Sequence, residues 1–91
     1  MSEALWRVYI IETERGTLYT GITTSLERRL AEHTSSESRG ARYFRFGSPR
    51  RLRYVESARD RAAAQRREAQ IKRLPRRAKL ELIASTPLAE R

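Results

Sequence analysis

Five polar side chains in this sequence are of the types needed to hydrolyse a phosphodiester bond. They are Tyr9, Tyr19, Arg29, His33 and Glu68. A phosphoryl transition state spreads negative charge over its oxygens, so an arginine and a metal ion stabilise it more than the ground state. Tyrosine takes a proton from water only where positive charge favours its phenolate, and Arg28, Arg29 and a metal ion would supply that charge.

The two tyrosines lie in short segments, rich in β-branched and aromatic residues, that predict a β-hairpin. The segments are Leu5 to Ile11 and Thr17 to Ile22, separated by the polar stretch Glu12 to Gly16. With the turn centred near Glu14, Tyr9 lies opposite Tyr19. Both hydroxyls then emerge on one face of the sheet, because strand side chains alternate. The opposite face is predicted to hold Trp6, Val8, Ile10, Leu18, Thr20 and Ile22.

The arginine and the histidine lie on a helix that Ser25 is predicted to cap and that runs to about Thr34. Its stripe at positions i, i+3, i+4 and i+7 holds Leu26, Arg29, Leu30 and His33. Two polar side chains therefore share an apolar helix face.

The glutamate lies on a later helix. Leu52 to Glu56 predicts a third strand, and Ser57 with Asp60 resembles a capping box for a helix to about Arg73. Ala64, Glu68 and Ile71 share one side of that helix, so a charged group lies among small and apolar neighbours. Pro75 is predicted to start a last helix, Arg76 to Ala84. These elements predict a mixed α/β (α+β) domain with a small, mostly antiparallel sheet.

Charge and composition indicate a polyanionic partner. The 91 residues include 20 basic and 11 acidic side chains, a formal charge of +9, and 18 of the basic residues are arginine. Arginine matches phosphate geometry better than lysine does. The segment Ser35 to Arg53 mixes Ser, Gly, Pro and Arg with aromatic residues. This composition is typical of a loop that contacts phosphates and bases. The same aromatic residues can also simply anchor a long loop. The nucleic-acid contacts are predicted at Arg28, Arg39, Arg42, Tyr43, Arg45 and Lys72.

Other classes of protein and site are excluded or disfavoured. The chain has no cysteine, so a disulfide framework and a thiol nucleophile are excluded. No apolar run approaches the roughly 20 residues of a membrane span, and Met1 to Ala4 does not resemble a leader, so we expect a cytoplasmic protein without a membrane partner. One domain is expected over residues 1–84, with a flexible tail at 85–91.

Each candidate side chain also has a structural interpretation. Tyr9 and Tyr19 can be ordinary packed strand residues, and His33 can be structural. Arg29 can pair with a glutamate, and Glu68 with Lys72 at the favourable i+4 spacing. The joint occurrence of these residues favours the catalytic interpretation.

The residues resemble a known family. Val8-Tyr9, followed ten residues after Tyr9 by Tyr19-Thr20-Gly21, resembles the two motifs that name the GIY-YIG nuclease superfamily. Arg29 and His33 match its signature arginine and its histidine or tyrosine, and Glu68 matches its metal-binding glutamate. The segment Arg39 to Tyr43 is similar to the small bacterial single-domain branch. One departure is Arg7, where the first motif usually has glycine.

The resemblance implies a three-stranded antiparallel sheet flanked by helices and metal-dependent hydrolysis of DNA, structure-specific or in repair. Tyr9, Tyr19, Arg29 and His33 would be catalytic, and Glu68 would hold one divalent ion. A single carboxylate that shares the ion with waters and phosphate oxygens suits Mg²⁺ or Mn²⁺ better than Zn²⁺. Relatives obtain target choice from a second domain, so a protein partner is expected to supply specificity. The alternative is a nucleic-acid-binding module without turnover, or a structural role on RNA.

Overall fold

Three antiparallel strands and two helices make up most of the part of the chain that a computed structural model describes, residues 5–29 and 49–85. Strand β1 (Trp6–Thr13) forms a hairpin with strand β2 (Leu18–Thr23), and strand β3 (Pro49–Ala58) pairs with the other edge of β1. Helix α1 (Arg61–Arg73) and helix α2 (Arg76–Ser85) follow, and residues 26–29 are also helical. The sheet order β2-β1-β3 confirms the predicted three-stranded antiparallel sheet with helices.

The hairpin turn is centred on Arg15, one residue later than Glu14. Thr13 O accepts a hydrogen bond from Gly16 N at 2.8 Å, and Thr13 N donates to Thr17 O at 2.9 Å. Gly16 has a φ of 85°, in the left-handed region that glycine enters without steric cost. The glycine therefore places the turn, and with it the register of the two strands.

This register brings Tyr9 opposite Gly21, while Tyr19 pairs with Ile11. The predicted register, with Tyr9 roughly opposite Tyr19, is therefore off by two residues. A shift of two residues keeps every side chain on its predicted face, whereas a shift of one would have moved all of them to the other side. Both tyrosines therefore lie on the same face, as expected.

The third strand, Pro49–Ala58, is longer than the predicted Leu52–Glu56. Its additional length is stabilised by charge pairing with the central strand. Glu12 accepts hydrogen bonds from Arg51 Nε at 3.3 Å and from Arg53 Nη1. The arginine-rich sequence favoured a loop here, but Arg51 is the register partner of Glu12 in the β1–β3 ladder, and Arg53 lies where the register shifts between Ile10 and Ile11.

Each face of the sheet has its own apolar cluster. The helix-side cluster joins the sheet to α1 and α2, and its members are Val8, Ile10, Tyr54, Ala64 and Ile71, with Trp6, Leu18, Ile22, Ala58, Leu82 and Ile83 packed against them. The tyrosine-side cluster is made of Tyr9, Ile11 and Val55, with Tyr19, Leu26 and Leu52 around them. The alternation predicted from the sequence is thus confirmed for β1 and β2.

Asp60 alone caps α1. Its Oδ1 accepts a hydrogen bond from Ala63 N at 2.8 Å, while Ser57 belongs to β3, so the predicted capping box is wrong. The helix ends at Arg73 as predicted, and α2 follows Pro75. Arg76 Nη1 donates to the carbonyl of Gly16 at 2.7 Å, which fastens the start of α2 to the hairpin turn.

Several predictions fall on residues that the structure does not describe. They concern the helix beyond residue 29, the loop up to residue 48 and the tail after residue 85. The helix at 26–29 does begin directly after Ser25, and Arg29 N donates to Ser25 O at 3.0 Å. The limits of the domain at residues 1–84 stay a prediction.

Candidate active site

The two tyrosines of the predicted site lie together over β2. Their ring centroids are 6.4 Å apart and the rings are inclined by 45°. Tyr9 is fully buried and lies against Gly21, where a Cβ atom would be 2.6 Å from its Oη and 2.7 Å from its Cζ. The missing side chain at Gly21 is what allows the phenol of Tyr9 to lie over β2, which is an edge strand of the sheet.

Arg29 meets the hydroxyl of Tyr9 at that edge. The Thr23 hydroxyl accepts a hydrogen bond from Ser25 N at 3.0 Å and directs the chain from β2 into the helical residues 26–29. Leu26 packs against the tyrosine-side cluster, and Arg29, three residues later, is half-buried. Its Nε donates to Tyr9 Oη at 3.4 Å. The guanidinium is therefore held beside the phenol by packing as well as by hydrogen bonding.

Glu68 lies on α1, which packs on the helix side of the sheet, and its charge acts on the Tyr9 hydroxyl. Ala64 and Ile71 are fully buried on one side of this helix, and Glu68 lies between them along the chain, with 23% of its side chain exposed. Helix α1 contacts β2 and β1 as well as β3. Glu68 forms an ion pair with Lys72, whose Nζ is 3.2 Å from Oε2. The prediction that a carboxylate lies among small and apolar neighbours on α1 agrees with this geometry.

Burial controls the protonation state of Tyr9. The pKa of its hydroxyl is raised above the ordinary value near 10, chiefly because burial disfavours the phenolate. The hydrogen bond and the charge of Arg29 act in the opposite direction, while Tyr19 and Glu68 raise the pKa further. The described side chains therefore keep Tyr9 as a neutral phenol.

The carboxylate of Glu68 fits one divalent cation of the magnesium type. Within residues 5–29 and 49–85, no group of three or more His, Cys, Asp or Glu side chains is arranged to hold a metal ion. A dedicated cage such as a structural zinc site is thus not formed by these residues. Mg²⁺ and Mn²⁺ accept a single protein carboxylate when waters and substrate phosphate oxygens complete the shell. A partly exposed carboxylate beside a buried phenol is compatible with that requirement.

The remaining predicted site residues divide into two groups. Arg28 and Lys72 are exposed, Arg28 on the helical residues 26–29 and Lys72 on α1. The others lie outside the described residues, namely His33, Arg39, Arg42, Tyr43 and Arg45. Their predicted roles in catalysis and nucleic-acid contact stay predictions.

A second polar network next to Glu68 was not foreseen from the sequence. Glu56 on β3 accepts hydrogen bonds from Tyr54 Oη and, at 2.9 Å, from Arg67 Nε. Arg67 directly precedes Glu68, so this network fastens the opposite flank of α1 to the sheet. The sequence contains one indication of this network. Arg67 lies next to Ala64 and Ile71 on the surface of α1, where a side chain can pair with the sheet.

Gly21 is the other contributor that sequence reasoning did not assign. It belongs to the Tyr19-Thr20-Gly21 motif, but the motif by itself predicts no structural role for the glycine. Its pairing with Tyr9 depends on a turn centre that the sequence placed one residue too early.

Within the described ranges, no helix is both long and apolar enough to cross a bilayer.

Comparisons with known proteins agree with this geometry. The family model described as the GIY-YIG catalytic domain matches residues 5–81. The UPF0213 protein of Desulfotalea psychrophila is 48% identical over 81 residues, which are 89% of this chain and 73% of that protein. A UPF0213 protein of Halobacterium salinarum is 48% identical over 69 residues, 76% of this chain and 87% of that protein.

A solved structure is also similar. The solution NMR structure of a UPF0213 protein from Bacillus halodurans has 36% sequence identity and a TM-score of 0.58, covering 90% of this chain and 85% of that one. Fold, motif residues and relatives thus point to one conclusion. The chain belongs to the GIY-YIG nuclease family and resembles its small stand-alone proteins.

Proposed function

We propose that this protein is an endonuclease that hydrolyses phosphodiester bonds in DNA with the help of one divalent metal ion. The observation that carries the proposal is the hydrogen bond from Arg29 Nε to Tyr9 Oη, 3.4 Å long, at the place where Tyr19 packs and the field of Glu68 acts. Residues separated by up to 59 positions in the sequence converge there. Packing alone does not require such a combination of side chains.

Tyr9 and Tyr19 position the attacking water in this proposal. The raised pKa of Tyr9 assigns it the role of a neutral phenol, which can both accept a hydrogen bond from Arg29 and donate one to a water or a phosphate oxygen. The ring centroids of Tyr9 and Tyr19 are 6.4 Å apart, and in this proposal the water binds near both hydroxyls. His33 is proposed to orient a tyrosine or to assist proton transfer.

Arg29 stabilises the transition state. Its Nε donates to Tyr9, and the planar guanidinium carries five N–H donors in a geometry that matches phosphate oxygens. Because these donors are held in place before substrate arrives, little reorganisation is needed as charge develops on the phosphoryl group. Loss of one such donor typically costs about a hundredfold to a thousandfold in rate.

Glu68 is proposed to hold the metal ion. A divalent ion at this carboxylate supplies Lewis-acid activation of a phosphate oxygen and a more acidic bound water. The charge of Glu68 acts on the Tyr9 hydroxyl and raises its pKa, which supports placing both groups at one scissile phosphate. The formal charge of +9 supports a polyanionic substrate, and a protein partner is proposed to supply target choice.

A cleavage assay with a matched control tests the proposal. Labelled single-stranded, duplex, flap and junction DNA would be incubated with Mg²⁺, Mn²⁺ or chelator. Arg29→Ala and Glu68→Ala should each reduce metal-dependent cleavage by about a hundredfold or more. Glu81→Ala is the control, because Glu81 lies four residues after its arginine partner Arg77 on α2 and its side chain is 73% exposed.

The outcomes separate the candidate functions. Salt-dependent binding should persist in Glu68→Ala, since one carboxylate changes little in a strongly basic surface. Cleavage that is equal in Glu68→Ala and Glu81→Ala would contradict the metal assignment. Binding to every substrate without cutting in any metal would favour the non-catalytic nucleic-acid binder.

A further inference from the structure

The carboxylate proposed to hold the metal is already engaged by a cation of its own helix. Lys72 Nζ lies 3.2 Å from Glu68 Oε2, and the two residues are four positions apart on α1. A glutamate that precedes a lysine by four residues is the favourable orientation for such a pair. One of the two carboxylate oxygens of Glu68 is therefore already paired with the ammonium group of Lys72.

A second pair of the same spacing shows what distinguishes this one. Arg77 and Glu81 on α2 approach to 3.9 Å, and their side chains are 90% and 73% exposed. The Glu68 side chain is only 23% exposed, and its charge raises the pKa of Tyr9. Lys72 thus neutralises a partly desolvated carboxylate at the candidate site, whereas Arg77 pairs in open solvent, where such pairs contribute little.

We propose that Lys72 competes with the divalent ion for Glu68 and moves to a substrate phosphate when the ion binds. This inference rests on the proposed function, because it takes Glu68 as the metal ligand. A magnesium ion binds a carboxylate oxygen at about 2.1 Å, so an ammonium on the same carboxylate would lie within roughly 5 Å of a double positive charge. Repulsion at that separation weakens metal binding or displaces the lysine.

Displacement gives Lys72 a second partner. Its side chain is 56% exposed, so the ammonium can turn away from α1 without leaving a buried cavity. The charged end of a lysine is a flexible point charge with three donors, which suits a phosphate oxygen. Phosphate binding to Lys72 in turn weakens its hold on Glu68. By reciprocity, DNA then raises the affinity for metal and metal raises the affinity for DNA.

The test measures binding of Mn²⁺ to the intact protein without DNA, by the electron paramagnetic resonance signal of free Mn²⁺. Lys72→Met removes the ammonium and keeps an unbranched apolar stem. It should bind Mn²⁺ about tenfold more tightly at low ionic strength, as expected for removing one positive charge roughly 5 Å from a divalent ion in a largely aqueous setting. Arg77→Met removes one positive charge from the other i, i+4 pair and should match the wild type. Glu68→Gln should lose the site.

The variants separate failure of this inference from failure of the proposed function. Equal Mn²⁺ affinity in Lys72→Met, Arg77→Met and wild type, with loss in Glu68→Gln, would leave the metal site in place and overturn the competition. Unchanged Mn²⁺ binding in Glu68→Gln would overturn the metal assignment, and with it both proposals. A short duplex should increase Mn²⁺ affinity more in the wild type than in Lys72→Met, and an equal increase would argue against the handover to phosphate.

A second readout needs no substitution of Lys72. The chain contains two lysines, Lys72 and Lys79 on α2, so selective ¹³C labelling of the lysine Cε atoms gives one signal for each. Diamagnetic Mg²⁺ should shift the Lys72 signal as its ammonium leaves Glu68, and leave the Lys79 signal in place. Parallel small shifts of both signals would indicate a general ionic effect and would contradict displacement.

Discussion

Tyr9 and Gly21 are register partners on neighbouring strands, and the phenol of Tyr9 fills the space in which a side chain at Gly21 would lie. The hydroxyl of Tyr9 reaches Arg29 only because of this arrangement. A residue without a side chain thus sets the distance between two polar groups of the candidate site. The glycine acts through close approach rather than through an unusual backbone angle.

Gly21→Ala should therefore damage the site. The added Cβ would stand 2.6 Å from Tyr9 Oη and 2.7 Å from Cζ, so the ring must move and its contact with Arg29 must lengthen. We expect cleavage to fall by about a hundredfold, as for loss of a positioned catalytic group, and stability to fall by about 1–3 kcal/mol through overpacking. Chemical denaturation and cleavage per folded molecule would be measured together.

The hairpin glycine provides the control for that substitution. At Gly16 an added Cβ would meet its nearest side-chain atom, in Arg76, at 4.0 Å, but the φ of 85° makes alanine strained there. Gly16→Ala should lose stability while the folded fraction cleaves normally. Equal loss of cleavage in both variants, scaled to folded protein, would contradict a specific role for the Tyr9–Gly21 contact.

The raised pKa of Tyr9 predicts a loss of stability in alkali. Burial favours the neutral phenol, so the folded pKa of Tyr9 exceeds its unfolded value near 10. The corresponding stabilisation is complete below that unfolded value and is lost as pH rises through the folded pKa. Tyr54 behaves likewise, because burial and the carboxylate of Glu56 raise its pKa. The melting temperature should therefore fall above about pH 10.

Tyr9→Phe tests that assignment directly. Difference titration of phenolate absorbance, wild type minus variant, should give a Tyr9 transition above pH 10. The variant should also lose part of the alkaline decrease in melting temperature. A Tyr9 transition below pH 10 would instead mean that Arg29 outweighs burial, and it would restore the phenolate as a candidate base at moderate pH.

Glu56 and Arg67 are expected to position Glu68. Arg67 Nε donates to Glu56 Oε2 at 2.9 Å from the helix residue next to Glu68. Both side chains are partly exposed, so a double-mutant cycle of Glu56→Gln and Arg67→Gln should show a modest coupling of about 1 kcal/mol in unfolding free energy. We also expect severalfold weaker Mn²⁺ binding in the folded Glu56→Gln protein, with rescue by Glu56→Asp where the contact re-forms.

A purely structural role would give a different result. The coupling in stability would persist, but Mn²⁺ affinity of the folded variants would equal that of the wild type. The pair Arg77 and Glu81 on α2 supplies a reference cycle. Its coupling should be close to zero, because both side chains are largely exposed.

Glu12 should make stability depend on pH in the acid range. Hydrogen bonds from Arg53 and then Arg51, together with their charges, hold the pKa of Glu12 below its ordinary value. A lowered folded pKa contributes stability that is present above the unfolded value near 4.5 and is lost as pH falls through the folded pKa. Glu12→Gln should flatten the melting temperature between about pH 3 and 5, relative to wild type. An unchanged acid profile would contradict this pairing.

Local pattern predicted much of the sheet and its facing. Alternation in β1 and β2 assigned Val8 and Ile10 to the helix side and Tyr9 to the other, and the i, i+4, i+7 spacing of α1 assigned Ala64 and Ile71 to the core. The strand assignments are unaffected by an error of two residues in register, because side chains alternate between the two faces with a period of two residues. They are properties of single elements, so single-segment reasoning suffices for them.

Features that depend on distant partners were missed. Arg51 and Arg53 of β3 both donate to Glu12 on β1, some 40 residues away in sequence, and local composition does not show that partner. The direction of the Tyr9 pKa shift depends on how burial compares with Arg29, and sequence shows only that a charge is available. By contrast, the pairing of Glu68 with Lys72 is a local i, i+4 contact, and the sequence named it as one interpretation of Glu68.

The central position of β1 also determines the order in which the molecule can assemble. Its pairing with β2 is local and can form as soon as the hairpin leaves the ribosome. Its pairing with β3 links Arg7 to Ser57 across 50 residues and must wait for most of the chain. One edge of β1 therefore stays open during synthesis, a state prone to pairing with other chains. Helix α1, which carries Glu68, follows β3 in the chain, so the candidate site can be completed only late in synthesis.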